Sequence, residues 1–241
     1  MSTSRRSPGR ELRRAGLTRD RVLATAVQLA DEDGLDGLSM RKLAKRLGVE
    51  AMSLYNHIPG KERLLDGMVD LVFDEIEAPS TGGPWKDELR NRAHSTRAAL
   101  RRHPWAVGLM EARPNPGDSN RRLHEAALAC LRNAGFSVEE SIHAYSVQDA
   151  YIYGYALQER TLGLDTRDDW RAVATRQLGE RGPAPDAAPS TTEVLHHIAE
   201  HGFSHDEQFL FGLDLILDGL EQRLPRRQRS HRSSREDSKK A

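Results

Sequence analysis

The chain has 241 residues, with 36 Lys+Arg set against 36 Asp+Glu and a formal net charge of zero. Its 37% hydrophobic fraction lies in periodic segments, which excludes wholesale disorder, and no run approaches the roughly 18 apolar residues of a membrane helix. The lone cysteine, Cys130, excludes an intrachain disulfide or a Cys-rich zinc site, and the N-terminus lacks the apolar core of a secretory signal, so a soluble cytoplasmic protein is expected. The charge cancels unevenly. Residues 1–65 carry 13 basic and 8 acidic side chains, residues 66–222 carry 15 and 26, and residues 223–241 carry 8 and 2. Basic ends around an acidic middle point either to one part that meets a polyanion or to plain surface solvation.

In chain order, residues 1–16 read as a disordered Arg-rich arm. Thr18 is a plausible N-cap for a helix over 19–33, with Val22, Leu23, Ala26, Val27 and Ala30 on one stripe and Gly34 as its stop. Ser39 caps a short helix to about Arg46, Gly48 supplies a turn, and a second short helix follows over about 50–56. After Pro59-Gly60 a longer helix runs over 61–77, and APSTGGP at 78–84 marks a boundary. Helices are then expected near 85–103, 105–111, 119–134, 138–161, 168–180, 191–201 and 205–224, with a Pro/Ala-rich loop at 181–190 and a disordered basic tail from Pro225. The fold class is all-α. Its domains are a helix-turn-helix unit at 17–63, a connecting helix and linker at 64–84, and a larger helical domain at 85–224.

The sharpest signal is Ser39–His57, SMRKLAKRLGVEAMSLYNH. Two short helices joined through Gly48 match the helix-turn-helix, in which the second helix enters the major groove. Ala44 is small where the helices cross, Val49 and Leu54 anchor the second helix, and Glu50, Ala51, Met52, Ser53, Tyr55 and Asn56 remain outward. Arg41, Lys42, Lys45 and Arg46 before it, with Lys61 and Arg63 after it, supply phosphate donors. By spacing alone, an ordinary helical hairpin with a charged face fits the same pattern.

Residues 18–77, with the first helix ending in D/E-x-G, then GLSMRKLAKRLGV, then SLYNH and KERLL, resemble the N-terminal domain of the TetR family of transcriptional repressors. WKDELRNRAHSTRAALRRHP, LHEAALACLRNAGFSVEESIHAY and EQFLFGLDLILDGLEQRL resemble the ligand-binding and dimerisation region of the tetracycline-repressor subgroup. The resemblance implies a palindromic double-stranded DNA operator as partner, a homodimer, and a small-molecule effector that releases the DNA. It places Ser39 and Arg41 against DNA, Ala51, Met52 and Ser53 toward the bases, and Tyr55, His57 and Lys61 on phosphates; basic Lys45 and outward Asn56 are further candidate DNA contacts. Ala51 and Met52 offer no hydrogen bond to a base edge, so readout leans on thymine methyls, Arg41 and DNA shape.

For the effector, the resemblance implies a pocket whose candidate residues here are Arg92, Thr96, Trp105, Met110, Arg113, Gln148, Tyr151 and Tyr155. Trp105 and the tyrosines fit plain core positions equally well, and Arg113 fits a helix cap. The positions matching the drug and magnesium ligands of the tetracycline repressor hold Met110 or Leu109, Glu77 and Arg92, so tetracycline–magnesium is not the expected effector and no cofactor is expected. One arginine among aromatics suits a planar ligand with a carboxylate or phenolate. Phe209, Leu213, Ile216, Leu217 and Leu220 form an apolar face on the last helix, read as a dimer interface with 138–161 in preference to a buried core face.

Other signals carry less. His197, His201 and His205 recur at helical spacing, but Gly202 interrupts them. Cys130 shares an apolar face and reads as a buried thiol. No catalytic triad, phosphate loop or dinucleotide fingerprint appears, so no enzyme is expected. Three function classes remain: a dimeric ligand-responsive repressor, a general DNA-coating protein acting through its basic arm and tail, and a helical enzyme or ligand carrier without any effect on DNA.

Overall fold

The structure, a computed structural model, describes residues 16–112, 117–163, 166–180 and 188–224. The arm, most of the Pro/Ala-rich loop, Arg113 and the tail lie outside these residues. Among the described residues there are eleven α-helices and no strand. In order they are α1 (Arg19–Asp33), α2 (Met40–Leu47), α3 (Ala51–Tyr55), α4 (Lys61–Asp74), α5 (Trp85–Arg102), α6 (Val107–Ala112), α7 (Asp118–Ala134), α8 (Val138–Leu162), α9 (Arg167–Glu180), α10 (Pro189–His201) and α11 (His205–Arg223).

Local chemistry explains most of the ends. Thr18 caps α1 by accepting from Arg21 N–H at 3.2 Å, and Ser39 caps α2 by accepting from Lys42 N–H at 3.2 Å. Ser137 and Glu140 close a reciprocal capping box at the start of α8. Gly48 ends α2 at φ 72° and ψ 33°, the left-handed region that glycine enters without a Cβ penalty. The 61–77 expectation runs three residues past Asp74. There the bonding tightens to three-residue steps, Glu75 to Val72 and Ile76 to Phe73, and the Glu75 carboxylate turns toward Arg102 and His103.

The chain falls into two compact units. One contains the residues up to Glu77 and Ala98–His124; the other contains Ala78–Arg97 and everything from Glu125. The linear partition at 63 and 84 follows sequence composition, whereas this division runs through α5 and α7, each long enough to belong to both units.

In the first unit α1 packs on α2 and α4. Its core is built from Val22, Leu23, Ala26, Leu29, Leu43, Leu54, Ile58, Leu64 and Met68, all at most 2% exposed. Gly67 of α4 lets the two helices meet, because a Cβ there would lie 2.6 Å from Leu23 Cδ2.

In the second unit α8 packs on α11, and Phe209, Leu213 and Leu217 are wholly enclosed. A ladder of ion pairs joins α5 to α11: Lys86 to Asp218 and Glu221, Arg90 to Asp214, and Arg97 to Asp206. Trp85 meets Phe136 edge-on at 5.1 Å. Cys130 is buried, as its apolar neighbours imply, and burial pushes its thiol up to about 11.

Two outcomes follow. Gly67→Ala forces Leu23 out of its place and is expected to lower unfolding free energy by about 1–3 kcal/mol, measured by urea titration. Cys130 should resist iodoacetamide at pH 8 in the folded protein and react on unfolding, since the thiolate is the nucleophile and its formation is displaced to higher pH.

Candidate DNA-binding and ligand sites

Helices α2 and α3 form the helix-turn-helix of the first unit. Gly48 N–H donates to Lys45 O at 3.2 Å and Val49 N–H to Ala44 O at 3.0 Å, which closes the turn. Leu54 is fully buried and fixes α3, while Val49 is half-buried. Outward stand Met52, 74% exposed, with Tyr55 and Asn56; Ala51, Ser53 and His57 are half-buried. Met52 and Tyr55, three residues apart, share one face of α3.

The four cations of α2 divide into two pairs. Lys42 binds Asp33 at 2.7 Å and Arg46 binds Glu32, both carboxylates belonging to the end of α1. Arg41 and Lys45 are exposed, and among the described residues neither has an ion pair. Lys61 is likewise exposed, at the first position of α4, where Gly60 supplies no side-chain cap. A helix start without a side-chain cap presents backbone N–H groups suited to phosphate. Ser39 is exposed, but its hydroxyl already caps α2.

The expected ligand residues do not gather in one unit. Arg92, Thr96, Gln148, Tyr151 and Tyr155 lie in the second unit; Trp105 and Met110 lie in the first; Arg113 lies outside the described residues. Arg92 is 1% exposed. Its guanidinium donates to Gln148 Oε1 at 2.9 Å and Asp149 Oδ1 at 2.5 Å, and sits 4.8 Å from the Tyr145 ring centre. Gln148 in turn donates to Leu89 O at 3.1 Å, and Thr96 donates to Arg92 O at 2.8 Å. The inference that Arg92 offers a positive charge to a carboxylate or phenolate is therefore corrected: Asp149 already neutralises it, and only Nε is left without a partner.

Tyr151 donates to Phe209 O at 2.9 Å and Tyr155 to His205 O at 2.9 Å. Tyr151 lies against α11 because Gly212 has no Cβ, which would fall 2.3 Å from the hydroxyl. Burial pushes the Tyr155 phenol up to about 12. Trp105 donates to Asp31 Oδ1 at 2.6 Å, and Met110 is buried. His197 and His201 stack at 4.5 Å, while the His205 ring turns to Tyr155.

The expected dimer face also needs correction. Phe209, Leu213 and Leu217 face their own core, because this row packs inside the unit, whereas Ile216 and Leu220 stay half-buried. The large apolar residues that α11 exposes are Leu210, Phe211 and Leu215, and α8 exposes Val138, Ile142, Val147, Leu157 and Leu162.

Sequence reasoning did not single out Asp31, His103 or Asp149. An available signal was the run Asp31-Glu32-Asp33 at a helix C-terminus, where negative charge opposes the dipole and so implies outside partners.

A family model for tetR-family bacterial regulatory proteins matches residues 22–68, and one for the tetracyclin repressor-like C-terminal domain matches residues 78–224. The chain belongs to the TetR family of transcriptional repressors. The HTH-type transcriptional repressor DrrR1 of Streptomyces coeruleorubidus is 39% identical over 215 residues, 85% of this chain and 77% of that relative. Tetracycline repressor protein class D of Escherichia coli is 30% identical over 216 residues, 87% and 92% of the two chains. Among solved structures, the TetR family protein ActR of Streptomyces coelicolor in complex with actinorhodin superposes with a TM-score of 0.71 at 27% identity, covering 86% of this chain and 98% of ActR. The family architecture is thus an N-terminal helix-turn-helix DNA-binding domain followed by a helical ligand-binding domain.

Within that ligand-binding domain Arg92 is the buried charge that tests the packing. Asp149→Ala would leave its guanidinium without a counterion and is expected to cost about 3 kcal/mol of stability, read from urea unfolding. Asp149→Asn, which keeps an oxygen acceptor, should cost less.

Proposed function

We propose that this repressor acts as a dimer on a palindromic operator and leaves it when a small molecule occupies the C-terminal domain. The carrying observation is the surface around α3. Exposed Arg41, Lys45 and Lys61, without ion pairs among the described residues, flank an outward face of Ala51, Met52, Ser53, Tyr55 and Asn56. Cations free of internal carboxylates are the ones available to phosphates, and their binding releases condensed counterions. Met52 and Ala51 bring apolar contact to the major groove, which favours thymine methyls over a donor–acceptor code. Lys61 and the start of α4, with Tyr55 and His57, hold the flanking backbone.

Dimerisation is supported by the exposed rows of α8 and α11, with Phe211 and Leu215 at 63% and 60% exposure. A twofold pairing of those rows doubles the DNA contact and sets half-sites about one DNA turn apart. The effector is not tetracycline–magnesium on this reading. Met110 offers no hard oxygen ligand, and Arg92 is engaged by Asp149. ActR crystal structures hold actinorhodin and (S)-DNPA, and by similarity the effector is a small molecule of that kind, with Tyr151 and Tyr155 as candidate contacts. With Arg92 neutralised, that effector is recognised through neutral hydrogen bonds and ring contacts rather than through an anionic group.

Gel shift against the duplex that the protein selects from random DNA tests the reading, repeated from low to high salt. Arg41→Ala should weaken binding and reduce the salt slope by about one. Absence of sequence preference would overturn the reading. Removal of residues 1–16 and 225–241 should leave that preference in place; loss of most affinity would instead support a DNA-coating protein. Phe211→Glu with Leu215→Glu should give a monomer in analytical ultracentrifugation and abolish operator binding, while both side chains, being exposed in the single chain, leave its fold intact.

A further inference from the structure

We propose that the three carboxylates ending α1 form a relay that positions the helix-turn-helix from the turn between α5 and α6. The inference rests on the DNA-binding reading above for its functional consequence, and on geometry within the first unit for its existence. Asp31 Oδ1 accepts the indole N–H of Trp105 at 2.6 Å and lies 2.8 Å from His103 Nδ1. The next residue, Glu32, pairs with Arg46, and Asp33 pairs with Lys42 at 2.7 Å. Within one helical turn α1 is therefore tied first to residues 103–105 and then twice to α2.

These carboxylates stand where local physics disfavours them. They are adjacent, they meet the negative end of the α1 dipole, and the last turn of α1 holds no basic residue. Besides water, the partners of these carboxylates are cations and donors from other segments. The far side of the link is built as well. His103 is 7% exposed and reaches Glu75 Oε1 at 3.0 Å with its other ring nitrogen, while Arg102 donates to Glu75 Oε2 at 2.6 Å. His103 and Trp105 meet edge-on at 6.0 Å. The segment 102–105 thus grips the end of α1 and the end of α4 together.

The network also has room to change. Asp31, His103 and Glu75 form one wall of a cleft of about 370 Å³ between α1 and α4, whose other walls include Val27 and Leu71. A fully packed joint would hold one arrangement, whereas side chains beside open space can exchange partners. Any shift of residues 103–105 that releases Asp31 frees the end of α1. Through Glu32 and Asp33 it then displaces α2, which carries Arg41 and Lys45. Asp31, Glu32 and Asp33 are positioning residues: they act on DNA through α2 without touching it.

The test is a cycle of variants read in two ways. Trp105→Phe keeps the ring and removes the donor to Asp31; Glu32→Gln with Asp33→Asn releases α2 from α1. In the DNA-free protein, Trp105→Phe should speed amide exchange in α2 by about threefold or more, and should have no further effect in the Glu32→Gln/Asp33→Asn background. On the selected operator duplex, Trp105→Phe should weaken binding about threefold or more in the otherwise native chain and leave it unchanged in that background. Equal factors in both backgrounds, or no change in the native one, would overturn the relay, since separate local supports add. Failure to select any duplex would overturn the repressor reading, and the exchange measurement then decides the relay by itself. His103→Gln carries the same cycle in the event that Trp105→Phe does not fold.

Discussion

Charge pairing between segments far apart in sequence is the constraint on which this molecule depends. Arg92 and Arg97 are almost wholly buried, and each is matched to a carboxylate on α8, Asp149 and Glu159. Such pairs add little net stability over apolar residues of the same volume, but a wrong alignment strands a charge in low dielectric, which costs several kcal/mol. Their value here is registry. Lys86, Arg90 and Arg97 climb α5 while Glu221, Asp218, Asp214 and Asp206 descend α11, so each cation meets a carboxylate at its own height. With only 37% hydrophobic residues in the chain, alignment by apolar shape alone has fewer side chains to work with.

The same constraint decides which cations are left unpaired and, on the proposed reading, can meet DNA. The formal charge of zero is an average over matched and unmatched groups. In the head, Lys42 and Arg46 answer the acidic end of α1, so they stabilise the joint between α1 and α2. Arg41 and Lys45, one residue away on the same helix, project without a carboxylate partner among the described residues. A helical repeat of 3.6 residues separates these two roles: 42 and 46 lie on one face, 41 and 45 on the next. Summed charge cannot make that distinction, on which the proposed docking face of the head rests.

What was legible in the sequence was mostly local. Thr18, Ser39, Gly34 and Gly48 declared their helix ends because a cap or a positive φ involves only residues within a turn. The helix-turn-helix was legible for the same reason. Partner choice was not. Nothing within a few residues of Arg92 reveals that Asp149, 57 positions on, will neutralise it. Trp105 carries no local sign that its N–H goes to Asp31 rather than to an effector. On α11 two apolar rows run side by side, Phe209–Leu213–Leu217 and Phe211–Leu215, and hydrophobicity alone does not say which one the chain encloses.

That ambiguity has a physical resolution with consequences for assembly. An amphipathic helix with one apolar row needs one burial; α11 has two and satisfies only one within its own chain. The enclosed row lies beside aspartates that meet α5: Asp206 pairs with Arg97, Asp214 with Arg90 and Asp218 with Lys86. Burial of Phe209, Leu213 and Leu217 sets the inner face, the ion pairs accompany it, and the outer face with Phe211 and Leu215 is what remains. On the proposed reading this residue of apolar surface is the dimer interface. The packing of α11 would then have a second role beyond folding: by enclosing one apolar row against its own unit, it sets which side chains a second copy meets.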